Sequence, residues 1–371
     1  MDRLRPHPSV TASTNSSVEP PEPVQPLEWF NRGIDRLALR LPAEAIRYFD
    51  TAETLGWDKP ACAAQRWICW MLLGELEEAW RESEGIAAEG GAAPGCLWDG
   101  QPLTGGRVLI RCLHGFGDAI QFLRYAPLLK SCGARVVVES ALELTALLRA
   151  QPFIDEVISW GDGSSDDYSA WDQQIEVMEL PRAHRTTLGS IPNQVPYLSV
   201  PEEHRKRASR LMEPFARPRI GIVWGASDWN PLRNLPASEL ECLLNVRGAS
   251  FHSLQHGTAR KELPQLQQRY EIHDTAPLAP DILDTAAFLL QLDLLICVDT
   301  MVAHLGGALG VPVWTLLLHN SDWRWMLDGD RSPWYPTMRL FRQPKAGDWQ
   351  TPMRRAAAAL MQLVAETSSR G

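Results

Sequence analysis

Short β-branched runs alternate with amphipathic helical stretches between residues 107 and 317, and this alternation limits the possible folds more than any other feature. It indicates βα units with a parallel sheet. The alternation forms two series, separated near Pro214 and Pro218. The first series has predicted strands near 107–112, 135–139, 156–159 and 174–178, with helices near 119–131 and 142–150. The second has predicted strands near 219–224, 251–255, 271–273, 294–298 and 311–317. The sequence therefore predicts two consecutive open α/β domains.

Two further regions precede these series. Residues 1–26 hold six prolines and no aromatic residue, so they cannot bury enough surface to offset chain entropy and are predicted to be a disordered tail.

Residues 27–93 show helical periodicity, and Ala45 and Ala79 are 34 residues apart, which is the period of tetratricopeptide repeats. An ordinary helical hairpin is the alternative. Fewer than three repeats are not stable alone, so this unit should dock onto the α/β domains, which are predicted at 94–214 and 215–371, the second with a C-terminal helix.

Charge and apolar patterning exclude several classes of function. The 36 basic and 45 acidic side chains give a net charge of −9, the wrong sign for binding nucleic acid. The sequence has no apolar run that approaches a transmembrane span, and Met1–Val10 lacks the apolar core of a signal peptide. The seven cysteines are an odd number without a Cys-x-x-Cys pair. We therefore expect a cytoplasmic protein without structural zinc.

A glycine-rich turn, His114-Gly-Phe-Gly-Asp118, lies between the first predicted strand and its helix. Such a turn presents backbone N–H groups and a positive helix end to an anion or to a closely approaching substrate. Gly115 and Gly117 suit this arrangement. Asp118 is a candidate general base towards a substrate hydroxyl, or alternatively an N-terminal cap of the helix.

The same turn permits a dinucleotide-binding interpretation. Glu139 closes the next predicted strand, where it could bind a ribose. The motif is incomplete, because Ile120 stands where a third glycine or alanine would allow the helix to approach the strand. An NAD(P) oxidoreductase is therefore a hypothesis that rests on an incomplete motif.

A second candidate site follows the apolar strand near 294–298. Asp299 ends this strand, Thr300 opens the next helix, and His304 lies in its first turn. The first-turn amides and the helix dipole suit a diphosphate, the Thr300 hydroxyl can add a donor, and Asp299 can accept from a sugar hydroxyl. His304 is either a phosphate donor or a structural histidine.

Several motifs occur together in a specific order. They are the segment from Val298 to Trp314, the Asp-Trp-Arg-Trp run at 322–325, the Ser-Pro-Trp-Tyr-Pro run at 332–336, the segment from Gly117 to Pro127 and the Asp-Thr-Ala-Ala run at 284–287. Over roughly residues 27 to 365 the chain resembles bacterial tetratricopeptide-containing glycosyltransferases related to the ADP-heptose:lipopolysaccharide heptosyltransferases.

The resemblance implies a GT-B fold, in which two Rossmann-like domains face a cleft. The second domain would hold the nucleotide-sugar donor and the first would face the acceptor. Asp118 matches the family's proposed base, while Asp299, Thr300 and His304 match its donor-binding motif.

The resemblance also implies a donor site without a metal. Trp224, Gly225 and Gln255 fall where the family holds the nucleotide and its phosphates, and Arg233 would neutralise charge on the leaving group. We therefore expect no metal ligand and no cofactor apart from the nucleotide-sugar co-substrate. The acceptor would be a glycan or a protein, and the helical repeats offer a surface for a protein partner.

The loop Gly225–Asn234 departs from the family pattern. Relatives are expected to carry a Gly-Asn-Pro loop rich in basic residues there, whereas this loop is shorter and poorer in positive charge. This difference motivates an alternative hypothesis, a non-catalytic scaffold or sensor in which the repeats bind a partner protein.

Overall fold

Four α-helices form the first described part of the chain. The computed structural model describes residues 25–89, 98–101, 105–161, 171–226 and 230–368, so most of the predicted tail lies outside the described residues. The helices are α1 (Pro26–Ala38), α2 (Pro42–Thr54), α3 (Lys59–Leu73) and α4 (Leu76–Glu89). Each of the first three has proline in its first turn, where a missing N–H costs nothing. We call α1 to α4 the helical unit.

The core of the helical unit depends on alternating small and large side chains. Ala45, Phe49 and Ala52 of α2 are fully buried. A Cβ placed at Gly33 would lie 2.5 Å from the Phe49 ring, so α1 can approach α2 only because residue 33 has no side chain. The small residues thus allow close packing of α1 on α2, while assignment of the unit to the tetratricopeptide repeats stays a prediction.

The first sheet has four parallel strands in the order β3-β2-β1-β4. The strands are β1 (Arg107–Arg111), β2 (Arg135–Ser140), β3 (Glu156–Ser159) and β4 (Gln173–Glu176). The helices of this region are α5 (Phe116–Phe122), α6 (Ala126–Ser131), α7 (Leu142–Arg149), α8 (Leu180–Ala183) and α9 (Glu202–Met212). The structure divides the single helix predicted at 119–131, because Pro127 disfavours continuation of a helix and a 3-10 turn at 123–125 intervenes.

The second sheet has six parallel strands in the order β10-β9-β8-β5-β6-β7. The strands are β5 (Arg219–Val223), β6 (Ser250–Ser253), β7 (Ile272–Asp274), β8 (Leu294–Val298), β9 (Val313–Leu317) and β10 (Met338–Arg342). The helices are α10 (Glu241–Leu244), α11 (Leu263–Gln267), α12 (Ile282–Leu289), α13 (Met301–Ala308) and α14 (Gln350–Ser368). Strand β10 was not predicted from the sequence, because it is an edge strand in which Arg339 and Arg342 interrupt the apolar run.

One apolar cluster links the two sheets, and separate clusters cover their other faces. A single cluster of buried side chains joins Val108 and Val136 of the first sheet to Leu295 and Val313 of the second. Helices α5 and α13 pack against each other, and α12 packs against α7 and α9. None of the described helices combines the length and apolar character needed to cross a membrane. The chain is thus an α/β protein with two parallel sheets and a helical unit at its described N-terminal part.

Candidate functional site

The two glycine-containing helix starts predicted from the sequence lie against each other. Helix α5 follows β1 and α13 follows β8, so both begin at the carboxyl ends of parallel strands, where open α/β sheets bind ligands. A Cβ at Gly117 would lie 2.9 Å from Cδ2 of His304. The absence of a side chain at residue 117 therefore permits direct contact between the two helices.

Asp118 has partners for both carboxylate oxygens. Its Oδ2 accepts a hydrogen bond from the backbone N–H of Gly115 at 3.0 Å, which closes the first turn of α5. Its Oδ1 lies 2.6 Å from Nη2 of Arg324. The N-cap of α5 is Gly115 and not Asp118 as the alternative predicted, because Asp118 is the third residue of the helix and binds the N–H of its cap. The role of Asp118 as general base stays a prediction.

Arg324 is a residue of this site for which no role was predicted from the sequence. Its guanidinium is buried, donates to Asp322 Oδ1 at 2.8 Å and lies 4.4 Å from the centre of the Trp323 ring. Burial alone would lower the pKa of Arg324, but the charges of Asp322 and Asp118 outweigh it and raise that pKa. Arg324 is therefore a buried cation between two carboxylates. The only sequence signal was its place in the 322–325 run.

Asp299 and Thr300 lie at the start of α13, as predicted. Asp299 is buried, and its Oδ2 is 3.7 Å from Nε of Arg233. Burial raises the pKa of Asp299, although Arg233 opposes that effect. Thr300 is the N-cap residue, but its hydroxyl makes no capping hydrogen bond to the helix. This hydroxyl and the first-turn N–H groups are suited to bind an anion.

His304 is a buried, uncharged histidine. Its Nδ1 lies 3.0 Å from the hydroxyl of Tyr335, and its ring stacks on Trp325 at 5.3 Å between centres. Burial lowers the pKa of His304 to about 3, and the charge of Arg324 adds to this effect. His304 is therefore neutral at pH 7, and when Nδ1 accepts from Tyr335, Nε2 carries the remaining N–H donor.

Gln255 ties the ends of β5 and β6 together. Its Oε1 accepts from the backbone N–H groups of Trp224 and Gly225, at 2.9 and 2.7 Å. Its Nε2 donates to the carbonyls of Gly225 and His256, at 3.2 and 2.6 Å.

The buried Trp224 indole donates to Glu262 at 2.8 Å. The side chains of Trp224 and Gln255 thus shape the end of β5, and donor binding by these residues stays a prediction. Residues 227–229 of the adjoining loop lie outside the described part.

Glu176, at the end of β4, is a second carboxylate that the sequence analysis missed. Its Oε2 accepts from the backbone N–H of Met178 at 2.7 Å. Its Oε1 is buried without a hydrogen bond to any described residue, and it lies 3.9 Å from Nε2 of His114. Burial raises the pKa of Glu176 to about 7, and the charges of Glu179 and Asp118 add to the increase. In the sequence, only the position of Glu176 at the end of a predicted strand could have indicated that it belongs to the site.

The carboxylate of the dinucleotide-binding hypothesis has an internal partner. Glu139 is buried, and its Oε2 lies 2.8 Å from Nε of Arg111 on the neighbouring strand. This ion pair gives Glu139 a structural role and weakens the case for a ribose ligand there.

One group of side chains has the composition of a metal site. Ligand atoms of His204, Asp281 and Asp284 all lie within 4.8 Å of one another. Asp284 Oδ1 lies 2.7 Å from Nη1 of Arg207, and Asp281 caps α12 by accepting from the N–H of Asp284. Arg207 offsets the charge of Asp284, and Asp281 serves as a helix cap, so ion pairing and helix capping account for the geometry of the group.

Comparison with known proteins relates the chain to glycosyltransferase structures. No family model matches the chain. Protein FlbA from Caulobacter vibrioides is 26% identical over 334 residues, which are 80% of this chain and 54% of FlbA, so the chain spans about half the length of that relative. The glycosyl transferase family 9 structure from Veillonella parvula is 14% identical, with a TM-score of 0.56, over 72% of this chain and 99% of that one. The E. coli ADP-heptose lps heptosyltransferase II structure is 14% identical, with a TM-score of 0.52, over 71% and 99%. The chain therefore has the GT-B-like fold of these glycosyltransferases.

Proposed function

We propose that the protein is a glycosyltransferase that transfers a sugar from a nucleotide-diphosphate donor to an acceptor hydroxyl. The observation that carries the proposal is the contact between Gly117 and His304, which places the start of α13 opposite Asp118. A helix start suited to a diphosphate thus faces a carboxylate suited to a hydroxyl. The similarity in fold to two glycosyltransferase structures supports the same conclusion.

The donor occupies the α13 side in this proposal. The first-turn N–H groups of α13 and the Thr300 hydroxyl bind the diphosphate, and Asp299 accepts a hydrogen bond from a sugar hydroxyl. Two cations, Arg233 and Arg324, belong to the same charge network as Asp299. They stabilise the charge that develops on the departing nucleoside diphosphate, and the proposal includes no metal ion.

The acceptor occupies the α5 side. Asp118 takes the proton of the acceptor hydroxyl while the acceptor oxygen forms a bond to the anomeric carbon. The bond from that carbon to the diphosphate oxygen breaks, and the nucleoside diphosphate leaves with both bonding electrons. A carboxylate in this role contributes about 10²- to 10⁴-fold to the rate.

The finer features of the proposal concern the acceptor and the compartment. The acceptor is a glycan or a protein, and the helical unit could bind a protein partner. The six described cysteines are free, which fits a cytoplasmic location because a reducing compartment keeps thiols unpaired.

The alternative is a scaffold or sensor that binds a partner without catalysis. Two observations favour it: Arg324 pairs with two carboxylates, and Arg233 pairs with Asp299. A cation that is already paired attracts a diphosphate less strongly.

Donor hydrolysis and sugar transfer by the wild type and by Asp118→Ala separate these functions. Glu143→Ala is the matched control, because Glu143 is an exposed carboxylate on α7. We expect turnover by the wild type and the control and a loss of at least about 100-fold in Asp118→Ala. Equal rates in all three proteins would remove Asp118 from the reaction. No turnover of any nucleotide sugar by the wild type would favour the scaffold.

A further inference from the structure

The segment of residues 319–328, which follows β9 and carries Arg324, is held by the helical unit. The guanidinium of Arg40, between α1 and α2, donates to the carbonyls of His319 and Leu327. Asn320 Nδ2 donates to the carbonyl of Ala38 at 3.1 Å. The N–H of Leu327 donates to the carbonyl of Leu72, at the end of α3, at 2.8 Å. Hydrogen bonds from the helical unit therefore fix both ends of the 319–328 segment.

Arg40 makes these bonds from an uncommon backbone conformation. Its φ is 62°, in the left-handed region that a non-glycine residue enters at a cost of about 1 kcal/mol or more. The contacts with the 319–328 segment offset that cost and account for the conformation.

An aromatic contact supports the middle of the same segment. The rings of Trp67 on α3 and Trp323 meet edge to face, with centres 5.1 Å apart. The Trp323 ring also lies 4.4 Å from the Arg324 guanidinium, and it contacts the rings of Phe122 and Trp334 in the α/β part of the chain. Through Trp323, helix α3 thus limits where the Arg324 side chain can lie.

The helical unit is also attached to the first α/β region. The indole N–H of Trp80 on α4 donates to the carbonyl of Thr186 at 2.7 Å, and Arg185 pairs with Glu84. Since Arg324 and Asp118 belong to different α/β regions, an element bound to both regions can set the distance between them.

We propose that the helical unit is a positioning element of the active site: Trp67 and Arg40 hold the 319–328 segment so that Arg324 reaches Asp118. Neither residue touches substrate in this account. The unit acts on the rate through Arg324, whether or not a protein partner also binds it. The effect on rate rests on the proposed glycosyltransferase function, whereas the effect on the segment does not.

Five variants test the proposal. Trp67→Leu and Arg40→Gln remove the contacts that the side chains of Trp67 and Arg40 make with the 319–328 segment. Trp57→Leu and Arg36→Gln are the controls, because Trp57 packs on Phe30 and Arg36 pairs with Glu44, both inside the helical unit. Trp67→Phe, which keeps an aromatic edge for Trp323, is the rescue variant.

Two measurements are made on each full-length variant. Hydrogen exchange follows the backbone amides of the 319–328 segment, and steady-state kinetics give kcat and the donor KM. We expect Trp67→Leu and Arg40→Gln to raise exchange in the segment and to lower kcat by about tenfold each. The donor KM should change by less than about threefold, and Trp67→Phe should recover most of kcat. The controls should change neither quantity, even where they lower the melting temperature.

Unchanged exchange in both contact variants would overturn the proposal. So would faster exchange with an unchanged kcat, because the segment would then move without affecting the reaction. If the wild type has no turnover, the proposed function fails, and hydrogen exchange alone still decides whether the helical unit holds the segment.

Discussion

Asp118 Oδ1 and Arg324 Nη2 lie 2.6 Å apart and join the first turn of α5, which follows β1 of the first sheet, to the segment after β9 of the second. The two residues are 206 positions apart in the chain. Arg324 also binds Asp322, so one buried cation serves two carboxylates from two parts of the protein. The relative position of the two sheets therefore affects the electrostatics of the site directly.

Replacement of Arg324 should destabilise the fold strongly. In Arg324→Met, Asp118 and Asp322 would lose the cation that they share, and removal of one partner of a buried ion pair costs about 3–5 kcal/mol. Urea unfolding measures the loss. Arg354→Met, an exposed site on α14, is the control and should change the free energy of unfolding by less than about 0.5 kcal/mol. A loss in Arg324→Met as small as in the control would show that the ion pairs contribute little.

A side chain at residue 117 should separate α5 from α13. The added Cβ of Gly117→Ala would lie 2.9 Å from His304, closer than carbon atoms pack without displacement. We expect a loss of about 1–3 kcal/mol in the free energy of unfolding, together with weaker nucleotide binding. Gly189→Ala is the matched control, because the nearest atom to its added Cβ is 3.9 Å away. Equal stability of the two variants would contradict the close contact between the helices.

Glu176 should make stability depend on pH near neutrality. Burial raises its pKa from 4.5 to about 7 in the folded protein. The folded chain therefore binds more protons than the unfolded chain between these values. The stability from this group is complete below pH 4.5 and is lost as the pH rises through about 7.

Glu176→Gln removes this ionisation and keeps an oxygen that can accept from Met178. At about pH 8 the variant should be more stable than the wild type by about 1–2 kcal/mol, and the difference should nearly vanish at about pH 5. Urea unfolding at both pH values measures this difference in stability, with Glu143→Gln, at an exposed site on α7, as the control. A stability gain that does not depend on pH would contradict the ionisation assigned to Glu176.

The sequence predicted elements whose signal is local. Runs such as Leu294–Val298 are apolar throughout because strands of a parallel sheet are buried on both faces, and their positions are confirmed. The glycines before Asp118 likewise indicated a tight turn between β1 and α5. Both helix starts were expected at one cleft, and the structure shows in addition that they touch each other through Gly117 and His304.

Other features depend on residues that are distant in sequence. Nothing near Arg324 shows that Asp118 is its partner, and nothing near Arg40 shows that it binds the carbonyl of Leu327. The buried environment that raises the pKa of Glu176 also forms only when β4 pairs with β1. Partners of this kind follow from the packing of the three parts of the chain and could not be inferred from composition or spacing.

The central claim is that the start of α13 binds the diphosphate of a nucleotide sugar. Thermal unfolding with a panel of ADP-, UDP-, GDP- and dTDP-sugars tests this claim most directly. A ligand that binds the folded state stabilises it by about 2.7 kcal/mol at about a hundredfold excess over its Kd. We predict that one nucleotide family raises the melting temperature of the wild type and raises that of Asp299→Asn less. A well-folded wild type that no member of the panel stabilises would contradict the claim and favour the scaffold.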